Sequence, residues 1–154
     1  MSTLITTHWN SEDRMLPGID CIAYPNGSVT LLNMYSLYNP NNQQTSYYCR
    51  PLCDTTIESI EKYDATYWTR VDEWASLPYQ GGKLYAGDGA MGNQGFIAHA
   101  DANDQLVWGI FFENTNPIKS LEIKGTTLCA INEHTKLQIE INLECLTDIQ
   151  MFAL

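Results

Sequence analysis

From Leu137 to Glu144 apolar and polar residues alternate without a break: Leu137, Ile139, Ile141 and Leu143 on one side, Gln138, Glu140, Asn142 and Glu144 on the other. A period of two belongs to an extended chain, so this stretch can bury an apolar face only as a strand of a sheet with one dry and one wet side. Much of the chain reads the same way. Residues 19–24 and 28–35 are β-rich and flank Pro25-Asn26-Gly27, a turn signal that predicts a hairpin. Residues 96–100 and 106–112 flank Asp101-Ala102-Asn103-Asp104 and predict a second antiparallel hairpin. Residues 118–123 and 127–131 supply two further strands, residues 67–74 another, and residues 47–52 one that Pro51 should confine to a sheet edge at its end.

The remaining segments are punctuation. Residues 38–46, with Asn39-Pro40-Asn41-Asn42-Gln43-Gln44 at the centre, have no apolar face and read as an exposed loop. Thr55-Thr56-Ile57-Glu58 has the form of a capping box, which predicts a short helix over residues 55–63 with Ile57 and Ile60 turned inward. No repeat or linker divides the 154 residues, and 44% hydrophobic content suffices for one core. The expectation is a single domain, 1–154, mainly β within the α+β class: an antiparallel β-sandwich or a strongly curved sheet carrying one short helix.

Charge narrows the possible partners. Eighteen Asp and Glu against eight Lys and Arg give a net charge of −10, a field that repels phosphate backbones and attracts cationic surfaces. Nucleic-acid binding is therefore not expected. Residues 54–73 hold six acids and two bases, and residues 133–148 hold four acids and one base. No run approaches the roughly 20 apolar residues of a spanning helix, so no membrane partner is expected. The first residues lack the basic and apolar regions of an export signal, and the five cysteines (Cys21, Cys49, Cys53, Cys129, Cys145) are odd in number, which together point to the reducing cytoplasm.

The motifs that could carry chemistry are thin. Gly87-Asp88-Gly89-Ala90-Met91-Gly92 has the spacing of a dinucleotide loop, but a β run rather than a helix follows, and Asp88 would put a negative charge in the anion cradle; it reads as a loop between strands. His8, His99 and His134 sit in no catalytic motif, and His99, between Ala98 and Ala100 on a strand, reads as a packed residue. Cys49 and Cys53 form a C-x₃-C pair with no second pair, short of a zinc site. The adjacent carboxylates Glu12-Asp13 and Asp72-Glu73 point in different directions on an extended chain and make no acid–base dyad. No catalytic residue, cofactor or metal is expected, and an enzyme is not the reading.

A resemblance supplies what the motifs do not. Trp74, Leu77-Pro78 and Gly81-Gly82, then the run Gly87 to Ile97, then Leu106-Val107-Trp108, Phe111-Phe112 and Asn116-Pro117 resemble small immunity proteins of bacterial contact-dependent growth inhibition and related polymorphic toxin systems. The resemblance implies a cytoplasmic, acidic, non-enzymatic protein that binds the toxic C-terminal domain of its own system. A basic toxin domain, a nuclease foremost, would meet complementary charge, because a nuclease presents Lys and Arg to its substrate. The candidate contact residues are Glu58, Glu61, Asp64, Asp72 and Glu73, together with Glu140 and Glu144 on the wet face of the last predicted strand. The alternative is a carbohydrate-binding module that stacks sugars on exposed members of the four Trp and nine Tyr.

Overall fold

The computed structural model describes residues 3–63 and 67–154, and these are mostly antiparallel strand. Two short helices, α1 (Leu4–Trp9) and α2 (Ile57–Tyr63), accompany thirteen strands. In chain order the strands are β1 (Met15–Pro17), β2 (Cys21–Ala23), β3 (Ser28–Asn39), β4 (Gln44–Thr56), β5 (Trp68–Arg70), β6 (Asp72–Tyr79), β7 (Gly82–Asp88), β8 (Gly95–Ala100), β9 (Leu106–Phe112), β10 (Ile118–Lys124), β11 (Thr127–Asn132), β12 (Leu137–Asn142) and β13 (Cys145–Ala153). Eleven of them form one sheet in the order β10-β11-β12-β13-β4-β3-β2-β9-β8-β7-β6, and β1 pairs with β5 in a small second sheet. The end strands β10 and β6 curl round until they touch, so the large sheet is nearly closed. Among the described residues no helix is long and apolar enough to cross a membrane.

Each turn has a local cause. Gly27 takes a φ of +94° in the β2–β3 turn, where its N–H donates to the Tyr24 carbonyl and the Asn26 side chain accepts from Ser28 N–H at 2.9 Å. Between β8 and β9, Asp101 Oδ1 accepts from the N–H groups of Asn103 and Gln105, which closes the predicted hairpin. The 38–46 segment is mostly strand, contrary to the loop expected there. Only residues 40–43 turn, because Asn39 and Asn42 side chains each accept a backbone N–H two residues on, so Asn39 can pair with Gln44 and Tyr38 with Thr45. The helix cap also differs from expectation. Thr55 stays in the β4 ladder opposite Val29, so α2 starts at Ile57 and it is Thr56 Oγ1 that accepts from Ser59 N–H at 3.1 Å.

Pro51 lies within β4, an inner strand by order. Its surroundings are still those of an edge, since β13 pairs with β4 only at Gln150 and Tyr48, which leaves Pro51 bonded to β3 alone.

The wall β8-β9-β2 is buried on both faces. Ile97, Ile110 and Ile22 lie side by side facing the interior of the curl, where they meet Ile139, Ile141 and Ile149 from the far wall. The alternate row, Phe96, Phe111 and Cys21, faces outward into a second apolar cluster with Ile5, Trp9, Leu16 and Ile57. The next outward row is Ala98, Gly109 and Ala23, and its small residues leave room for a covering layer made of α1, β1, β5 and α2. A Cβ on Gly109 would stand 2.9 Å from Leu16 Cδ2, so glycine is what lets β1 lie this close over β9. Two-sided burial explains why residues 106–112 read as a nearly continuous apolar run, whereas β12, wet on one side, alternates.

Helix α1 has no strong sequence signal. Its six residues are held by Thr3 and Thr6, whose hydroxyls accept reciprocally from each other's backbone N–H, and by Thr3 Oγ1 donating to the Pro25 carbonyl. At its other end Trp9 Nε1 donates to the Asp104 carbonyl, Arg14 Nη2 lies 2.5 Å from Asp104 Oδ2, and Tyr85 OH donates to Asp104 Oδ1 at 3.0 Å. The layer is thereby pinned to the β2–β3 turn and to the β8–β9 turn.

Adjacent residues on β9 test the two-sided packing. Phe111 packs outward and Phe112 inward, and both are fully buried. Phe111→Ala and Phe112→Ala should each cost about 3–5 kcal/mol in urea unfolding, while Val107→Ala on the same strand should cost less than about 1 kcal/mol. A small cost at either phenylalanine would contradict burial on both faces.

Candidate functional site

The covering layer, with the start of β6 beside it, carries most of the acids singled out by charge. Glu58 is exposed in the first turn of α2, where a carboxylate also complements the helix N-terminus. Glu61 is structural: its Oε1 accepts from Trp68 Nε1 at 3.1 Å, and the Trp68 ring stacks on His8 at 3.7 Å, which ties α2, β5 and α1 together. Asp64 lies outside the described residues. Asp72 and Glu73 open β6 and are exposed, Asp72 with Arg70 Nε at 3.3 Å.

A groove of about 270 Å³ brings a further acid to this pair. Glu12, in the loop after α1, lines it together with Asp72 and Glu73, over a floor that includes Trp9, Tyr85 and Phe96. Arg14 also borders the groove, but its guanidinium is engaged by Asp104 and lies 4.0 Å from the centre of the Trp9 ring. Asp88 pairs across the ladder with Asp72. Burial, and then the charge of Asp72, hold the Asp88 carboxyl above its ordinary range. The sequence shows Glu12 only as half of an adjacent pair; nothing local says that it faces residues 72 and 73.

Glu140 and Glu144 belong elsewhere. Glu140 stands on β12 in an outer row with Cys129 and, beyond it, Glu122; Gln138 Nε2 donates to its Oε2 at 2.9 Å. Glu144 sits in the β12–β13 turn, its N–H bonded to Asn142 Oδ1. In the sheet order β12 is third and β9 eighth of eleven, so in a curl whose ends meet these acids lie across the interior from the covering layer. The candidate residues therefore form two surfaces, not one.

Residues considered for chemistry have structural settings. His99 is buried between the rings of Tyr79 and Trp108, at 4.9 and 5.9 Å, and burial holds its pKa below the usual value. The Gly87–Gly92 stretch ends β7 and enters the loop before β8; a Cβ on Gly87 would lie 1.8 Å from the Asp72 carbonyl, so this glycine serves the close approach of β6 and β7. All five cysteines are free, with Cys49 buried and Cys53 exposed. Among the described residues no group of three or more His, Cys, Asp or Glu could hold a metal ion. Trp9 and Trp108 are buried and Trp68 is stacked on His8, which leaves Trp74, 43% exposed, as the indole available for stacking a sugar.

At one mouth of the curl a second cavity, about 260 Å³, is lined by Asp20, Met34, Tyr47, Thr115 and Met151 among others. Asp20 and Glu113 lock the strands beside it: Glu113 N–H donates to Asp20 Oδ1 at 2.7 Å, and Asp20 N–H to Glu113 Oε2 at 3.2 Å. Burial first, and then the Glu113 charge, raise the Asp20 pKa from 3.8 to about 6, against the backbone hydrogen bond from Glu113, which lowers it.

Compared with known protein families, curated proteins and solved structures, the chain has no significant match in any of the three.

A folded-state pKa above the unfolded value means that folding binds a proton between the two. The Asp20 penalty is absent below its unfolded pKa of 3.8, grows as the pH rises towards about 6, and is complete above that. Asp20→Asn keeps the acceptor for Glu113 N–H and removes the charge. It should match the parent chain at about pH 3 and exceed its stability by about 1–2 kcal/mol at about pH 7.5, a figure reduced for the partial exposure of the site. Urea unfolding at the two pH values checks this, and a variant less stable than the parent at pH 7.5 would contradict it.

Proposed function

We propose that this chain is a neutralising binding protein of the immunity type, which docks a basic toxin domain against its acidic covering layer in the cytoplasm and occludes the toxin's active site. The observation that supports this reading is that three exposed acidic residues, Glu12, Asp72 and Glu73, line one groove beside the partly exposed Tyr85. A groove of this kind suits a Lys or Arg side chain: carboxylates meet the cationic head, and the partly exposed Tyr85 ring accepts its apolar stem. Exposed acids around it would steer a basic partner and speed association, an effect that fades as salt screens it. A nuclease is the foremost partner, since the surface it must present to phosphate is the one an acidic inhibitor would cover.

The test begins with capture. The immobilised chain is exposed to a lysate of its source cells, and the bound fraction, eluted by salt, is identified by mass spectrometry. The expected product is a basic toxin domain whose activity the chain inhibits when the two are mixed. Reversing Glu12, Asp72 and Glu73 to Lys should then slow association by about 10- to 100-fold and leave the fold intact, because all three are exposed. Reversing Glu140 and Glu144, neither of which lines the groove, should change association by less than about 2-fold. Full inhibition by the Glu12/Asp72/Glu73 variant at parental affinity would overturn the proposal.

A further inference from the structure

Past the end of β2, β3 and β4 continue as a two-stranded arm that ends at the 40–43 turn; β4 runs beside β13, and most of the arm's side chains are exposed. Its composition is unlike the rest of the chain. From Cys21 to Cys49 there is no Asp, Glu, Lys, Arg or His, in a chain of net charge −10. Leu37 and Tyr38 are 57% and 61% exposed, Tyr35 is 39% exposed, and Tyr35 stacks on Tyr48 with ring centres 4.9 Å apart, which stiffens the ribbon.

The arm also has an open backbone edge. Strand β2 pairs with β3 only from Val29 to Leu31, followed by a last bond from Leu32 N–H to the Asp20 carbonyl. Among the described residues no strand lies beside Asn33–Asn39 on that side. The direction of the free groups follows from alternation. Ser28 accepts from Tyr24 and Leu32 donates to Asp20, both towards β2, so the backbone groups of Met34, Ser36 and Tyr38 face the same way and have no strand to meet.

Open edges are normally blunted by charge, proline or bulges. Both ends of the large sheet follow that rule: β6 carries Asp72, Glu73 and Pro78 with a bulge between Glu73 and Ala75, and β10 carries Lys119, Glu122 and Lys124 with a bulge between Ile118 and Ser120. From Asn33 to Asn39 the β3 edge carries none of these.

The sequence of this edge is its own complement. Reading Asn33-Met34-Tyr35-Ser36-Leu37-Tyr38-Asn39 antiparallel to itself about Ser36 sets Asn33 opposite Asn39, Met34 opposite Tyr38 and Tyr35 opposite Leu37. Every large apolar side chain then meets another on the same face, and the outward backbone groups of Met34, Ser36 and Tyr38 fall in hydrogen-bonding pairs. We infer that the free β3 edge joins two copies of this chain in a two-fold dimer centred on Ser36, which continues the sheet from one copy into the other. A second copy fits better than a charged partner because this edge offers no charge for such a partner to meet, and two chains of net charge −10 meet with least repulsion where neither carries an acid.

Sedimentation of the full chain over a range of concentrations tests this. The expected result is a reversible dimer that tightens by several-fold between about 50 and about 500 mM salt, as screening relieves like-charge repulsion; binding of a basic partner to the acidic layer has the opposite salt dependence. Leu37→Lys, at an exposed position, should give a monomer with an unchanged circular dichroism spectrum. Ser36→Cys, with the exposed Cys53 and Cys145 replaced by Ser, should form a covalent dimer on mild oxidation, since paired residues about 5.5 Å apart at Cα are within disulfide reach. A chain that stays monomeric at every concentration and salt overturns the inference. So does a dimer that survives Leu37→Lys or that Ser36→Cys fails to cross-link.

Discussion

Burial of β9 on both faces is the constraint on which the rest of the structure depends. A strand with Trp108, Ile110 and Phe112 on one side and Leu106 and Phe111 on the other cannot lie at the surface of a one-layered sheet. Its inner face is satisfied by curling the sheet until β10 meets β6, so that the far wall supplies Leu128, Ile139 and Ile141. Its outer face needs separate cover, which comes from elements with little stability of their own: a six-residue helix, a seven-residue helix and a pair of three-residue strands. They hold because the row Ala98, Gly109 and Ala23 leaves them a trough and because Asp104 gathers Trp9, Arg14 and Tyr85 at one end.

This cover has an inside and an outside with different tasks. Ile5, Trp9, Leu16 and Ile57 face the wall, while Glu12, Glu58, Asp72 and Glu73 face water on or beside the same short elements. In the proposed function, recognition is therefore carried by the elements that complete the core, with Trp9 wholly buried behind the groove that Glu12 borders. The arm divides labour differently. It adds almost nothing to either apolar cluster beyond Met34 and Cys49, and it is neutral where the layer is acidic, so the two surfaces can engage different partners without competing.

Much of the fold was legible because turn chemistry and period-two patterning are local. The hairpins at Asn26-Gly27 and at Asp101–Asp104, the strands around Leu121, Ala130 and Ile139, and a helix near Ile57 follow from neighbouring residues alone. The misses have non-local causes. Helix α1 is weak by propensity and exists because β9 needs covering. The Asn/Gln-rich segment extends as strand because Asx bonds shorten its turn to residues 40–43. The acids could be counted but not placed: Glu12 and Asp72 share a groove although sixty residues separate them, while Asp72 and Glu140, alike by charge, stand on β6 and β12 with β10 and β11 between them.

Hydrogen exchange of the intact chain, read by peptide mass spectrometry, tests the two-sided burial of β9 most directly. The slowest amides should be those of Phe96–Ala100 and Leu106–Phe112, slower than those of Leu137–Asn142, which have one wet face, with residues 35–47 of the arm exchanging fastest in a chain kept dilute. Exchange of Leu106–Phe112 as fast as that of Leu137–Asn142 would mean that the layer does not seal the wall, and the account of both the core and the acidic surface built on it would fail.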